Sequence, residues 1–266
     1  VFLSIVTDEV SLDPLTAVEL GQEWGLSHFE LRSVASGRLP DISDADRRRL
    51  VALSRRTDIV LTAMSPGFFK NTLDDPITGR QFREGLPRAL DLATELGIGK
   101  MIFFAARKDN ASRNEASRRV ADLLARCAEE CSKANVLLLL ENEHICWADT
   151  GIHALDVLEH ASHPNMRLNW DPCNCVWAGG SPYPTEYERV RKHIVHLHVK
   201  DTCQNRRGEF VGVPVGDGEV GWRSILHALR SDGYVGPYTV ETHYTPKVAS
   251  SRHCVENLKR LLLECD

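Results

Sequence analysis

The 266-residue chain is long enough for one large α/β domain, and 32 Lys and Arg against 37 Asp and Glu leave a formal charge of -5. That balance supplies no broad cationic field, which excludes nucleic acid and anionic membrane surfaces as expected partners and favours a small, neutral or locally recognised substrate. Eight cysteines without a C-x-x-C pair read as reduced thiols of a cytoplasmic protein, with Cys173 and Cys175 as packing residues or, alternatively, soft metal ligands.

In chain order, the opening run 1–6 is too short for a signal core, lacks a basic flank and meets Asp8 and Glu9 at once; it is expected to form a first strand over 2–6. Asp13 before Pro14 predicts the start of a helix. Aliphatic or β-branched runs then recur at 28–32, 59–63, 100–104, 136–141, 166–171, 194–199 and 238–242. Helical stretches separate them. Over 112–134, Ala116, Val120, Leu123, Leu124, Cys127 and Cys131 make an i, i+3, i+4 stripe, and Gly97 reads as the stop of a helix through 89–96, with Pro87 marking its kink or true start.

Eight strands alternating with helices, at about thirty residues per unit, predict a single (β/α)8 (TIM) barrel domain spanning 1–266. The rival, a doubly wound open sheet, usually carries a glycine-rich turn after its first strand, and residues 6–13 contain no glycine. No run approaches the ~20 apolar residues of a membrane span. Two loops that follow strands are long, 65–79 and 201–221; the second contains Gly208, Gly212, Gly216, Gly218 and Gly221 and is expected to hinge as a lid.

In such a barrel the strand C-termini point into the mouth, where catalytic groups gather. Glu141, Asp171, His198 and Glu241 stand at or near the ends of the fifth to eighth predicted strands. Three carboxylates on one wall repel one another, and a divalent cation removes the conflict. One imidazole with three carboxylates suits Mn²⁺ first, with Mg²⁺, Co²⁺ or Zn²⁺ as alternatives. The opposing reading pairs each of the four with a mouth Lys or Arg.

These segments carry a resemblance. Leu140-Glu-Asn-Glu143, Asn169-Trp-Asp-Pro-Cys-Asn174, His196-Leu-His-Val-Lys-Asp201, Val215-Gly-Asp-Gly-Glu-Val-Gly-Trp222 and Thr239-Val-Glu-Thr-His243 resemble the sugar phosphate isomerase/epimerase superfamily of xylose isomerase-like barrels. The resemblance covers nearly the whole chain. It implies one divalent ion on Glu141, Asp171, His198 and Glu241, with Glu141 and Glu241 doubling as acid and base. The superfamily includes ketose 3-epimerases, hydroxypyruvate isomerase, inosose dehydratase, enzymes acting on 3-keto-glycosides and apurinic endonucleases.

The expected chemistry is proton abstraction beside the carbonyl of a keto-sugar or related polyol, through a metal-stabilised enediolate. Isomerisation or epimerisation is the first reading. A lyase, eliminating from a keto-sugar, 3-keto-glycoside or inosose, is the second; an apurinic endonuclease-type nuclease and a non-catalytic sugar-binding subunit are more remote. Glu143, Asn174, Lys200, His243 and Trp170 are candidate substrate contacts, Lys200 alternatively pairing with Asp201 or Glu143. Glu30 is a further mouth carboxylate, His196 a mouth or barrel-layer histidine, and Arg32, Lys70 and Arg107 are possible anion anchors or solvated cations. Asn174 departs from the superfamily: ketose epimerases usually have His three residues after the ligand Asp, and an amide cannot shuttle a proton. A homo-oligomer is an open expectation.

Overall fold

Strands rich in Leu, Ile and Val can lose water on both faces only if helices cover the outside and side-chain layers fill the inside. The computed structural model, which describes residues 2–265, builds that solution. Eight strands close a parallel barrel: β1 (Phe2–Val6), β2 (His28–Leu31), β3 (Val60–Met64), β4 (Lys100–Phe103), β5 (Leu137–Glu141), β6 (Met166–Trp170), β7 (Ile194–Val199) and β8 (Pro237–Val240). Each strand pairs with its sequence neighbours, and β8 closes on β1. Position 1 of the predicted opening run lies outside the described residues.

The expected punctuation operates. The Asp13 carboxylate accepts the Leu15 amide to cap helix Pro14–Glu23, and Gly97, at φ 68°, ends helix Leu86–Leu96 in the left-handed conformation. A π-turn over Gln81–Gly85 precedes Leu86, so Pro87 sits at the start of that helix and not inside it. Helix Arg113–Lys133 buries Ala116, Val120, Leu124, Cys127 and Cys131 along its stripe, with Leu123 only partly covered. Leu138, Leu139 and Leu140 of β5 are fully buried, each contributing about 2 kcal/mol in lost apolar exposure.

Two details aim the polar side chains. A bulge beside Leu168 and Asn169 skips Val195 and sets Asn169 opposite His196. The pleat of β7 then sends His196 and His198 to the barrel interior, with Leu197 and Val199 on the opposite face. The second long loop carries structure of its own, and so does the turn after β2. Residues 201–204 and 210–213 form an antiparallel hairpin, and a two-stranded turn joins 33–34 to 37–38 after β2. No helix among the described residues is long and apolar enough to cross a membrane.

Candidate functional site

At the C-terminal mouth, Glu141 ends β5, His198 lies one residue before the end of β7, and Asp171 and Glu241 each follow their strands directly. Asp171 also caps helix Pro172–Trp177, its Oδ1 accepting the Asn174 amide at 3.0 Å. One donor atom from each of the four residues falls within 4.8 Å of all the others, and all four side chains are buried. His198 Nδ1 stands 3.4 Å from Glu141 Oε1 and 3.5 Å from Glu241 Oε2, yet makes no hydrogen bond. A buried imidazole nitrogen with no partner, facing three carboxylates, is a donor set that fits a divalent cation.

The other ring nitrogen explains which one faces inward. His198 Nε2 lies 3.1 and 3.2 Å from the two oxygens of Glu30, which also meets His196 Nε2 at 2.9 Å. Glu30 is wholly buried behind the ring, an arrangement that fixes Nε2–H as donor and leaves the Nδ1 lone pair for the mouth. Burial works against the ionised Glu30 carboxylate, but its contacts with the two histidine rings hold it down to about 2. Sequence inspection placed Glu30 in the mouth; the structure puts it one layer deeper. His196, bonded also to Thr239 at 3.1 Å, belongs to the barrel interior.

Cations meet part of the carboxylate charge. Lys200 Nζ lies 2.7 Å from Asp171 Oδ2 and 2.9 Å from Glu241 Oε2, so its acidic partners are these two and not Asp201 or Glu143, the pairings the sequence left open as an alternative. The reason is rotational: Lys200 shares the inward face of β7 with His198, whereas Asp201 turns away and its carboxylate accepts the amides of Thr202, Gly216, Gly218 and Val220. Glu241 also receives Arg32 Nη1 at 2.6 Å and approaches His243 Nε2 at 2.8 Å. Burial would raise the Glu241 carboxyl, but His243, Lys200 and His198 hold it well below its usual range. Burial raises Asp171 against the pull of Lys200, with Glu141 and Glu241 pushing the same way. Burial disfavours the Lys200 ammonium, yet Asp171 and Glu241 keep it charged. Glu141 differs: its polar contacts are Asn169 Nδ2 at 3.1 Å and His198.

Above the cluster opens a cavity of about 640 Å³ lined by Glu141, Glu241, Lys200, Asn174, Glu143 and His243, among others. Four of the five expected substrate contacts therefore reach it. Trp170 does not: it is fully buried, outside the cavity lining, and packs against Tyr187 at 5.7 Å between ring centres. Strand alternation is the cause, because Asn169 faces inward and its neighbour must face the helices. Trp177, at the far end of the helix that Asp171 caps, supplies the aromatic wall, its ring centre 5.0 Å from Lys200 Nζ.

Glu143 pairs with Lys70 Nζ at 2.5 Å and with His144 Nδ1 at 2.8 Å, and these contacts outweigh burial to hold it down to about 2. His144 is a mouth residue that sequence reading passed over. Its Nδ1 lies 3.4 Å from Asn174 Oδ1 and its ring meets Trp177 edge-on, so an imidazole from the β5 loop stands beside position 174. The run Glu141-Asn-Glu-His144 held the signal, since one more polar residue beyond Glu143 stays within reach of the mouth. Arg32 is partly buried among Asp8, Glu9 and Glu241, and Arg107 lies on the exposed surface outside the cavity lining.

Cys173 and Cys175 are buried, in keeping with the packing reading, and burial pushes both thiols upward, which disfavours the thiolate that the alternative, a soft metal site, needs. One further expectation is corrected. The glycine-rich segment 201–221 does not stand as a hinged lid: Asp201 ties its backbone down, Val215 and Val220 are buried, and none of its residues lines the cavity.

A closed eight-stranded barrel with ionisable side chains gathered at its C-terminal mouth defines the class. The chain belongs to the xylose isomerase-like TIM barrel family, whose sequence profile matches residues 18–261. It is 29% identical to the L-ribulose-5-phosphate 3-epimerase UlaE of Escherichia coli over 174 residues, which are 63% of this chain and 58% of that protein. The match thus spans less than two thirds of the length of the curated relatives. Among solved structures, a zinc-bound IOLI protein superposes with a TM-score of 0.81 at 18% identity, covering 100% of this chain and 98% of its own. The probable 3-DHS dehydratase AsbF of Bacillus anthracis gives 0.77 at 19% identity, covering 97% and 99%. Identities this low establish the shared fold.

Proposed function

We propose that this chain is a divalent-metal-dependent isomerase or epimerase of a keto-sugar or related polyol. The observation that carries the reading is the buried His198 Nδ1, unpartnered and within 3.5 Å of both Glu141 and Glu241. Glu141, Asp171, His198 and Glu241 would hold the ion, Mn²⁺ first by its tolerance of mixed oxygen and nitrogen ligands. When bound, such an ion acts as a Lewis acid that makes a C–H beside a carbonyl more acidic.

The side chains do the rest. Glu141 and Glu241 come from strands separated by β6 and β7 and approach the cavity from different sides, so one carboxylate can take a proton and the other return one. Their surroundings differ. Glu241 is ion-paired with Arg32 and Lys200, while the hydrogen-bonding partner of Glu141 is a neutral amide. Glu141 is therefore assigned the first abstraction. Lys200 and Asn174 orient substrate oxygens, and Trp177 covers an apolar sugar face. The relationship to a ribulose-phosphate epimerase supports the reaction class.

A lyase is the second reading, favoured by His144: held by Glu143 at 2.8 Å and lining the cavity, it is placed to protonate a departing hydroxyl, which Asn174 cannot do. Proton NMR in D₂O across a panel of keto-sugars and 3-keto-glycosides decides between them. Exchange with recovery of an isomer supports the first reading, exchange with loss of a leaving group supports the second, and no exchange with any member of the panel by metal-loaded protein sinks both.

A further inference from the structure

Five cationic side chains line the cavity, and four have an acidic partner. Arg32 contacts Asp8, Glu9 and Glu241; Lys70 contacts Glu143; Lys200 contacts Asp171 and Glu241; Lys247 lies 3.9 Å from Glu9 and donates to the Asp8 carbonyl. Arg38 is the exception. Among the described residues no carboxylate lies within ion-pair distance of it, and its recorded bonds run to neutral oxygens, Nε to the Ser65 carbonyl and Nη2 to Ser65 Oγ, both at 3.1 Å.

Its position is nonetheless tightly set. Gly67, at φ 77°, comes so close under the guanidinium that a Cβ there would stand 2.6 Å from Cζ and from Nε. Ser65 therefore holds one edge of the group and Gly67 lies against it, while the side chain remains part of the cavity lining. A planar guanidinium so oriented, with no carboxylate in direct contact, is a preorganised partner for an oxyanion. Burial lowers the pKa of Arg38 and the charge of Arg32 adds to the effect, more than Asp8, Glu141 and Glu241 offset from beyond ion-pair distance, whereas Arg32 itself is held upward by the acids it contacts. An anion arriving from outside would remove that imbalance.

We propose that Arg38 is the anion anchor of this site and that the substrate carries, apart from its carbonyl, a carboxylate or phosphate group. The proposal deepens the keto-sugar reading and rests on it for the identity of the cavity, while anion binding itself can be measured without turnover. Carboxylate and phosphate share the chemistry Arg38 recognises, so the test carries both.

Metal-loaded wild type, Arg38→Gln, Arg38→Lys and Gly67→Ala would be compared in two measurements. The first is calorimetric binding of inorganic phosphate and of D-glycerate. At least one probe should bind wild type, weaken more than tenfold in Arg38→Gln, weaken likewise in Gly67→Ala where the arginine is retained but displaced, and recover in part in Arg38→Lys. The second is the ratio of kcat/KM for L-ribulose 5-phosphate over L-ribulose, and for 5-keto-D-gluconate over D-fructose. Loss of the guanidinium should lower one of these ratios at least 30-fold, and which one falls names the anion. A role confined to pinning the Ser65 loop would lower both members of a pair together and leave the ratio where it was. Should wild type bind neither probe, or should Arg38→Gln bind both as tightly as wild type, the anchor is overturned even if neutral ketoses turn over normally. Should no sugar in the panel turn over while phosphate or glycerate binding still depends on Arg38, the keto-sugar reading fails and the anchor stands.

Discussion

Glu30→Gln probes the site through a residue that need not touch substrate. The carboxylate is wholly buried and holds His198 Nε2 at 3.1 and 3.2 Å, on the side of the ring opposite the proposed ligand atom. Glutamine preserves the size and one acceptor oxygen, so the ring orientation should survive, but the negative charge that makes the imidazole a stronger donor is lost. A full unit-charge pair near this separation interacts by roughly 5 kcal/mol at an effective dielectric of 20. A ligating ring carries only part of that charge and the hydrogen bond persists, so the expected loss is about 1.4–2.7 kcal/mol, a 10–100-fold weaker metal affinity. Competition between the protein and a chromophoric chelator for Mn²⁺, with circular dichroism to verify folding, measures it. A folded Glu30→Gln protein that binds Mn²⁺ as tightly as wild type would show that Glu30 is a packing partner of two histidines, and would refute the reasoning.

Glu141→Gln should abolish both product formation and solvent deuterium exchange, whereas Glu241→Gln, lacking only the carboxylate that returns the proton, should still exchange the substrate C–H without forming product; near-normal turnover of both metal-loaded variants would move proton abstraction to another group. Trp170→Ala should cost about 3–5 kcal/mol of stability in a denaturant titration, while Trp177→Ala should raise KM with a smaller stability loss; the reverse pattern would place Trp170 at the substrate. Acid unfolding should follow Glu143, whose pKa is depressed from 4.5 to about 2. A depressed acid contributes its full stabilisation above the unfolded value and loses it as pH falls through the folded one, so the melting temperature should drop between about pH 4.5 and 2. The contribution is a few kcal/mol, and Glu143→Gln should flatten that limb of the curve; an unchanged limb means the ion pairs with Lys70 and His144 carry no net stability.

The sequence by itself determined the barrel and the four mouth residues, because both follow from local periodicity. Aliphatic runs alternate with helical stripes, and a polar residue closing such a run must emerge at the strand end, as Glu141 does after Leu137–Leu140. Tertiary structure alone decided which partner each polar atom meets. Glu30 and His198 are 168 positions apart, and only barrel closure through β1 and β8 sets one behind the other. Trp170 was misplaced because the identity of a residue does not say which way a pleat turns it, and the register of β6 against β5 settles that. Lys200, two residues from His198, was legible as an inward side chain but not as the partner of Asp171, which arrives from a different strand. Arg38 lay on a short turn with no periodic signal, and its lack of an ion-pair partner is a property of what surrounds it. Period and composition act within a few residues of chain; charge pairing depends on distances that closure of the barrel creates.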